Sequence, residues 1–439
     1  MTATLTTEEA RADRWRATFA HVRAVLVAAV CLVLAVLARR PDLVVLGTPF
    51  VAVAAWSALT RPERTPRRWL TGPSGTLTEG RWAHLAARVE RVRHTELLAL
   101  AAPPAPFVQT RPPSGASVEL VTDPGAGASR PLTVALPLRP VRWGRRVVGP
   151  FRVAATSPWA AFRWGPVVLG RPRLLVAPDP ETFDLTAAAP HPRGLVGAHR
   201  STRPGDGSEF ASIRPFQWGD RLRRVHWGRS LRSGELHVTS SHADQDTHVA
   251  VLVDAHYDLG ASGGVDGTPS TLDHTVRAAA ALGEHFLRQG DRVSLHVLSG
   301  RTPGHLRPAT GRRHGRRLLA ALGQVVAAPQ AGLDPRRLRH HLPPGTLVVV
   351  LSALVSPDVL TQAAVLAHGG RSVVLVDTMV ADVAPPGEPD AAAELAWRIR
   401  LLERERGVRA IRAEGVPVVP WRGPGSLDQV LRSMARRRA

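Results

Sequence analysis

The sequence contains no lysine at all and a single cysteine, Cys31. Without lysine there can be no G-x-x-x-x-G-K-[ST] phosphate loop, so the chain is not itself a P-loop ATPase. One cysteine inside an apolar run excludes a disulfide framework, a thiolate zinc site and an iron–sulfur centre. Negative charge is also sparse: 36 acidic residues stand against 57 basic ones, all Arg, for a net charge of +21. Such a balance invites a nucleic-acid partner, but here Arg is spread along the chain, and a nucleic-acid footprint clusters on one face. With heavy Ala, Val, Leu, Pro and Gly usage, the pattern fits the codon bias of a GC-rich genome, and a basic surface also suits anionic lipid. The 38 Gly and 38 Pro predict many turns, and 44% hydrophobic content over 439 residues is enough for two or three domains with buried cores.

Two long apolar runs follow, Phe19–Ala38 and Leu43–Leu59. Each is close to the roughly 20 residues that a membrane-spanning helix needs. Only Arg39-Arg40-Pro41-Asp42 separates them, and Pro41 stops the first helix. Residues 19–59 therefore predict a transmembrane helical hairpin with both flanks on one side. Arg11, Arg14, Arg16 and Arg23 before it, with Arg61, Arg64, Arg67 and Arg68 after it, place that side in the cytoplasm. This predicts a multi-pass inner-membrane protein with a short cytoplasmic segment 1–18 and its bulk cytoplasmic. The rival reading is a secretory signal cleaved after Ala38.

Residues 70–180 change to short apolar alternations between Pro and Gly clusters. Strands are predicted at Leu85–Val89, Val118–Val121, Leu132–Leu136, Arg146–Val148, Phe151–Ala155 and Leu174–Ala177. This spacing is that of an all-β sandwich-like domain. Over 246–439 apolar strands alternate with helices: Thr247–Asp254, Leu272–Gln289, Arg292–Leu298, His314–Leu322, Thr346–Ser352, Pro357–Ala367, Ser372–Asp377, Ala391–Glu405, Val416–Pro420 and a closing helix from Ser426. Continuous apolar strands alternating with helices predict a doubly wound parallel α/β sheet, its ligand crevice at the carboxyl ends of the strands.

Between these regions, in 181–245, lies the most distinctive stretch, Arg203–Val238. Its Gly205-Asp206-Gly207-Ser208-Glu209-Phe210, Ile213-Arg214-Pro215-Phe216, Gly219-Asp220, Arg223, Val225-His226-Trp227 and Leu236-His237-Val238 resemble the family catalogued as domain of unknown function 58. Arg142–Ala177, with Gly149-Pro150-Phe151 and Leu174-Leu175-Val176-Ala177-Pro178, resembles it too, as does the whole organisation. The resemblance implies a domain similar to the von Willebrand factor type A fold and a membrane-anchored partner of MoxR-type AAA+ ATPases, which remodel or mature other protein assemblies.

Physically, Gly205 and Gly207 suit a tight hairpin turn, and Gly219-Asp220 has the same chemistry, Asp220 bonding the backbone beyond it. Glu209, Arg214, Asp220, Arg223 and Arg232 can form a bidentate ion-pair network, favoured over an acid/base carboxylate pair. Phe210, Phe216, Trp218 and Trp227 interleave with Arg as in single-strand binders, although packing into a seam between the β region and the α/β domain is the more ordinary outcome. The type A fold holds Mg²⁺ through Asp-x-Ser-x-Ser, a Thr and a further Asp. This chain has Asp254-Ala255-His256-Tyr257-Asp258, with Thr310 for the Thr and Ala353 where the last acid is due. Asp254, Asp258 and Thr310 are thus weak candidates for a degenerate, empty site, since Mg²⁺ needs near-octahedral oxygen ligation. Gly260-Ala261-Ser262-Gly263-Gly264 matches G-x-S-x-G without the strand–turn–helix of a nucleophile elbow, and His305, His314 and His340-His341 lack metal spacing. The expectation is a non-enzymatic adaptor whose docking face surrounds Asp254 and Thr310. The alternatives are a hydrolase using Glu209 and Asp220, or an Arg and aromatic nucleic-acid binder.

Overall fold

The computed structural model describes residues 13–62, 65–90, 93–122, 131–180, 204–218, 220, 222–242, 248–298, 305–328, 342–343, 346–380, 383 and 390–422. It divides into two compact units, Met1–Ala177 and Pro178–Ala439. Arg11, Arg64, His340-His341 and the closing helix expected from Ser426 lie outside the described residues.

The first unit begins with α1 (Phe19–Leu37) and α2 (Asp42–Leu59), both long and apolar enough to cross a membrane. Their large side chains, Leu26, Val33 and Leu46 among them, point outward, while Ala28, Cys31 and Ala35 of α1 and Gly47 and Ser57 of α2 are buried. Small residues at the helix contact with bulky ones facing out is the pattern of helices packed in lipid, where close backbone approach replaces a hydrophobic driving force. The link is stiffened by Arg40, whose guanidinium donates to Asp42 at 3.2 and 2.8 Å.

Among the described residues one strand precedes the hairpin, β1 (Arg16–Ala17), and eleven follow it: β2 (Arg67–Thr71), β3 (Leu77–Thr78), β4 (Ala83–Glu90), β5 (Leu97–Ala101), β6 (Val108–Thr110), β7 (Ala116–Leu120), β8 (Leu132–Pro140), β9 (Gly144–Val147), β10 (Phe151–Thr156), β11 (Phe162–Gly170) and β12 (Arg173–Ala177). They form sheets ordered β1-β11-β10-β5-β7, β2-β4-β8-β6 and β3-β12-β9. Alternate residues of β4, β5, β8, β10 and β11, including Leu85, Leu100, Leu136, Phe151 and Trp164, meet in one core. Period-2 burial on both larger sheets is what packs two antiparallel sheets face to face. Hairpin and sheets are joined locally: Thr18 donates its N–H to Ala161 and its hydroxyl to Ala160, while its Oγ1 accepts from His21 to cap α1.

In the second unit β13 (Pro204–Pro215) and β14 (His237–His242) pair antiparallel, with the short α3 (Trp227–Ser233) between them. The rest is a six-stranded sheet built from β15 (His248–Asp254), β16 (Arg292–Leu298), β17 (His305–Ala309), β18 (Leu347–Ser352), β19 (Ser372–Asp377) and β20 (Val418–Pro420). Its order is β17-β16-β15-β18-β19-β20, all parallel except the antiparallel edge β17. Among the described residues four helices connect these strands: α4 (Thr271–Arg288), α5 (Gly311–Leu322), α6 (Pro357–His368) and α7 (Ala391–Ala413). Ala250 and Leu252 of β15 share a core with Val359 of α6 and Val408 of α7, and α4 covers the opposite face, so β15 is buried throughout. A sheet covered on both faces explains why these strands read as unbroken apolar runs.

Candidate functional site

Going from β17 back to β18, the chain crosses to the other side of β15, so the topological switch point lies between β15 and β18. At such a point the connections diverge and leave a crevice at the carboxyl ends. Asp254 closes β15 and Ser352 closes β18, and the Ser352 hydroxyl donates to Asp254 Oδ2. Asp254 Oδ1 accepts the backbone N–H of His256 at 3.0 Å and lies 2.6 Å from its Nδ1. All three side chains are buried. Ser352 Oγ also accepts from the Leu354 N–H at 2.8 Å, which sets the turn where Leu354 holds a positive φ of 56°. Arg404 of α7 fixes the same loop by donating to the Ala353 carbonyl at 2.8 Å and to the Asp377 carboxylate.

Asp254 holds the imidazole of His256 above its ordinary pKa, against the pull of burial, with the charges of Asp254 and Asp358 adding. With Nδ1 committed, Nε2 is buried and has no hydrogen-bond partner. In a nucleophilic triad the histidine stands between hydroxyl and carboxylate. Here the carboxylate stands between them, so Ser352 is spent on Asp254 and no activated nucleophile is assembled.

The metal candidates do not converge. Ala309 pairs with Val293, at the opposite end of β16 from Leu298, which pairs with Asp254. Because β17 runs antiparallel, Thr310 emerges at the amino ends of the parallel strands, away from Asp254. Asp258 receives the Leu272 N–H at 3.4 Å, at the start of α4. With both Asp254 oxygens engaged, Thr310 remote and Ala353 bearing no side-chain oxygen, the residues present do not fit a hexacoordinate Mg²⁺ site. Ser262 of the G-x-S-x-G string donates to Asp273, the capping-box residue of α4, at 2.5 Å. His314 anchors α5 by a 2.7 Å contact from Nε2 to the Val293 carbonyl.

The signature forms a second centre. Arg214 clasps Asp220 in two hydrogen bonds of 2.8 and 2.7 Å, and Asp220 also accepts the Gln217 N–H at 2.9 Å. Arg214 first, then the Gln217 N–H, keeps the Asp220 carboxyl below its ordinary pKa. The pair closes the turn after β13, with Asp220 bonding backbone before it rather than beyond it. The pair is partly buried, at 33% and 19% of side-chain area exposed. Arg232 turns back to the Gly228 carbonyl of its own helix at 3.0 Å and takes no part in that pair. His226 caps α3 by accepting the Arg229 N–H at 3.1 Å. Trp218 is fully exposed and Trp227 is 62% exposed, so neither indole is buried within its own unit. Gly205 lies within β13 and not in a hairpin turn: Gly205 and Phe210 both oppose Ser241, leaving four residues in a bulge. The side chains of Glu209, Phe210 and Arg223, and all of Gly219, lie outside the described residues.

Sequence reasoning passed over His256 and Ser352 as partners of Asp254. The available signal was a polar residue ending each of two otherwise apolar strands, which the register sets side by side.

A family model described as "Protein of unknown function DUF58" matches residues 212–390, from β13 to the residue before α7. It takes in Arg214–Asp220 and the whole Asp254 centre. Uncharacterised proteins of Mycobacterium bovis and of two strains of Mycobacterium tuberculosis are 28% identical over 179 residues, 40% of this chain and 51% of theirs. The chain therefore spans about half the length of the curated relatives it matches.

Proposed function

We propose that this is a membrane-anchored interaction protein that couples to a MoxR-type AAA+ ATPase or presents a client to it, with α1 and α2 as an inner-membrane hairpin and the remainder cytoplasmic. The observation that carries the reading is the strand order of the second unit, with its antiparallel third strand in chain order at the edge. That arrangement looks like the von Willebrand factor type A fold, whose crest serves as a docking face. Here the crest is organised by Asp254 through hydrogen bonds to His256 and Ser352 instead of through a metal. The family model matched over residues 212–390 is one of unknown function; the ATPase partner class rests on the resemblance of the chain's organisation, from apolar hairpin to signature to α/β sheet.

The test is crosslinked affinity capture of the full chain from nuclease-treated lysate, with and without Mg-ATP, read by mass spectrometry. Nucleotide-dependent recovery of an AAA+ ATPase, reduced by Asp254→Ala, is the expected result. Recovery of no ATPase by a folded, membrane-inserted sample overturns the reading. The exposed Trp218 and Trp227 beside Arg224 and Arg229 favour a second one, single-stranded nucleic-acid binding, in which affinity falls steeply with salt. A hydrolase built on Asp220 is disfavoured, because that carboxylate is fully engaged by Arg214 and Gln217.

A further inference from the structure

Helix α5 begins Gly311-Arg312-Arg313-His314-Gly315-Arg316-Arg317 and contains no acidic residue, and its N-cap Thr310 makes no side-chain cap bond. Cations in the first turns oppose the helix dipole, and like charges three and four residues apart repel. The sequence thus carries a local electrostatic cost, and among the described residues no carboxylate pairs with Arg312 or Arg316 to offset it. Local choices that work against the fold are a mark of functional constraint.

Those arginines border a cleft of about 700 Å³ between α4 and α5. Leu287, Leu318 and Leu319 form its floor, and Arg288, Arg312 and Arg316 stand on its rim. Gly311 and Gly315 keep the α5 wall low: a Cβ at Gly311 would meet nothing within 4 Å, and one at Gly315 only Leu287 Cδ1 at 3.5 Å. The helix holds its place without these residues, through buried Leu318 and His314.

We propose that this cleft docks an acidic amphipathic helix of a partner protein, apolar side chains on the leucine floor and carboxylates on the three arginines. The charge complementarity and the apolar floor together select that occupant. A nucleic acid would find no aromatic ring in the lining on which to stack, and its polar backbone would leave the leucine floor uncovered. An amphipathic helix laid in a groove uses anchors at helical spacing, as the leucine floor requires. Carboxylates paired with unopposed arginines speed and orient encounter.

The test uses the full chain in phosphatidylcholine nanodiscs and a fluorescein-labelled helical peptide of Glu and Leu, followed by anisotropy at physiological salt. Binding is expected to weaken about tenfold or more in Arg312→Glu/Arg316→Glu. It is expected to weaken comparably in Gly315→Leu, which fills the cleft and leaves every arginine in place. Arg406→Glu, on the exposed side of α7, leaves it unchanged. The proposal is overturned if wild type does not bind the peptide, if the variants bind it equally well, or if a Gln/Leu peptide binds as tightly. It is also overturned if a single-stranded oligonucleotide or phosphatidylserine vesicles bind this cleft, with the same dependence on Arg312 and Gly315, where the peptide does not. No ATPase is present in this assay, so its outcome is independent of the ATPase reading.

Discussion

Replacing Asp254 with Ala removes a buried acceptor from three donors at once: the Ser352 hydroxyl, the His256 N–H and the His256 ring. A buried donor left without its partner costs about 1–3 kcal/mol, and more when charged. Ser352 can be partly relieved by rotation, so a total of about 3–5 kcal/mol is expected, the range for breaking a buried charged pair. The loss has a pH signature. Asp254 raises the His256 pKa, so the ring's contribution is fully present below its unfolded value of 6.5 and is lost as pH rises through the folded value. The gap between wild type and Asp254→Ala is therefore widest in mild acid and narrows toward alkaline pH. Titrations elsewhere in the chain, common to both proteins, cancel in that difference. Hydrogen exchange of the β15 amides, corrected for intrinsic rates, reads this unit directly. At about 1.4 kcal/mol per decade the variant should lose two to three and a half orders of protection. A gap below about 1 kcal/mol, or one that grows with pH, would refute the assignment of Asp254 as the keystone of the crest.

Three other outcomes are expected. His248, whose ring lies 2.8 Å from Ser294 Oγ, has its pKa pushed down to about 4 by burial and then by Arg292. The unfolded ring takes a proton below 6.5 and the folded one does not, so stability of the second unit should fall as pH drops from 6.5 to about 4, and His248→Gln should flatten that slope in urea melts. Gly283→Ala would place a Cβ 2.9 Å from Leu318 Cδ2, so the buried Leu318 must shift to admit it, and should destabilise by about 1–3 kcal/mol. Gly315→Ala, with an ordinary 3.5 Å contact, should instead stabilise α5 by about 0.5–1 kcal/mol, and equal effects in thermal melts would contradict the packing described. A Cβ at Gly47 would lie 3.0 Å from Cys31 Cβ, so Gly47→Val should wedge α1 from α2 by overpacking and destabilise by about 1–3 kcal/mol, read as a lower unfolding midpoint of the detergent-solubilised chain.

How far the fold was legible depended on whether burial left a one-dimensional trace. The hairpin is plain from two apolar runs around Pro41, and β15, β18 and β19 from their unbroken Val and Leu. Helix α7 extends to Ala413, past Glu405, because its exposed Arg and Glu carry no apolar period to mark an end. Strand β11 contains Gly165-Pro166, a turn signal that the flanking ladder overrides through β10. The strand His305–Ala309 has no pattern that states its direction, and direction alone moves Thr310 to the far end of the sheet from Asp254. For the signature, residue types told that Arg214 and Asp220 would pair, and the pair is partly buried as two charged groups at a turn can be. Packing was the expected setting for Trp218 and Trp227, yet both are exposed, because an indole suits either setting and its type alone does not choose.

Thr18 stands where the sheet meets the apolar hairpin. Its hydroxyl and amide are bonded to the turn at Ala160 and Ala161, and one residue later the chain is in α1. Just before it, Arg16 and Ala17 form a rung with Arg163 and Phe162 of β11, and Arg61, just beyond α2, stacks its guanidinium over Phe162. The first unit is therefore not tethered to its hairpin by a leash but mounted on it by a rigid bracket, clamped where each helix meets the sheet. A load applied to the β sheets would be delivered to the helices as torque, without slack to absorb it, and rotation of the hairpin would turn the whole β body with it.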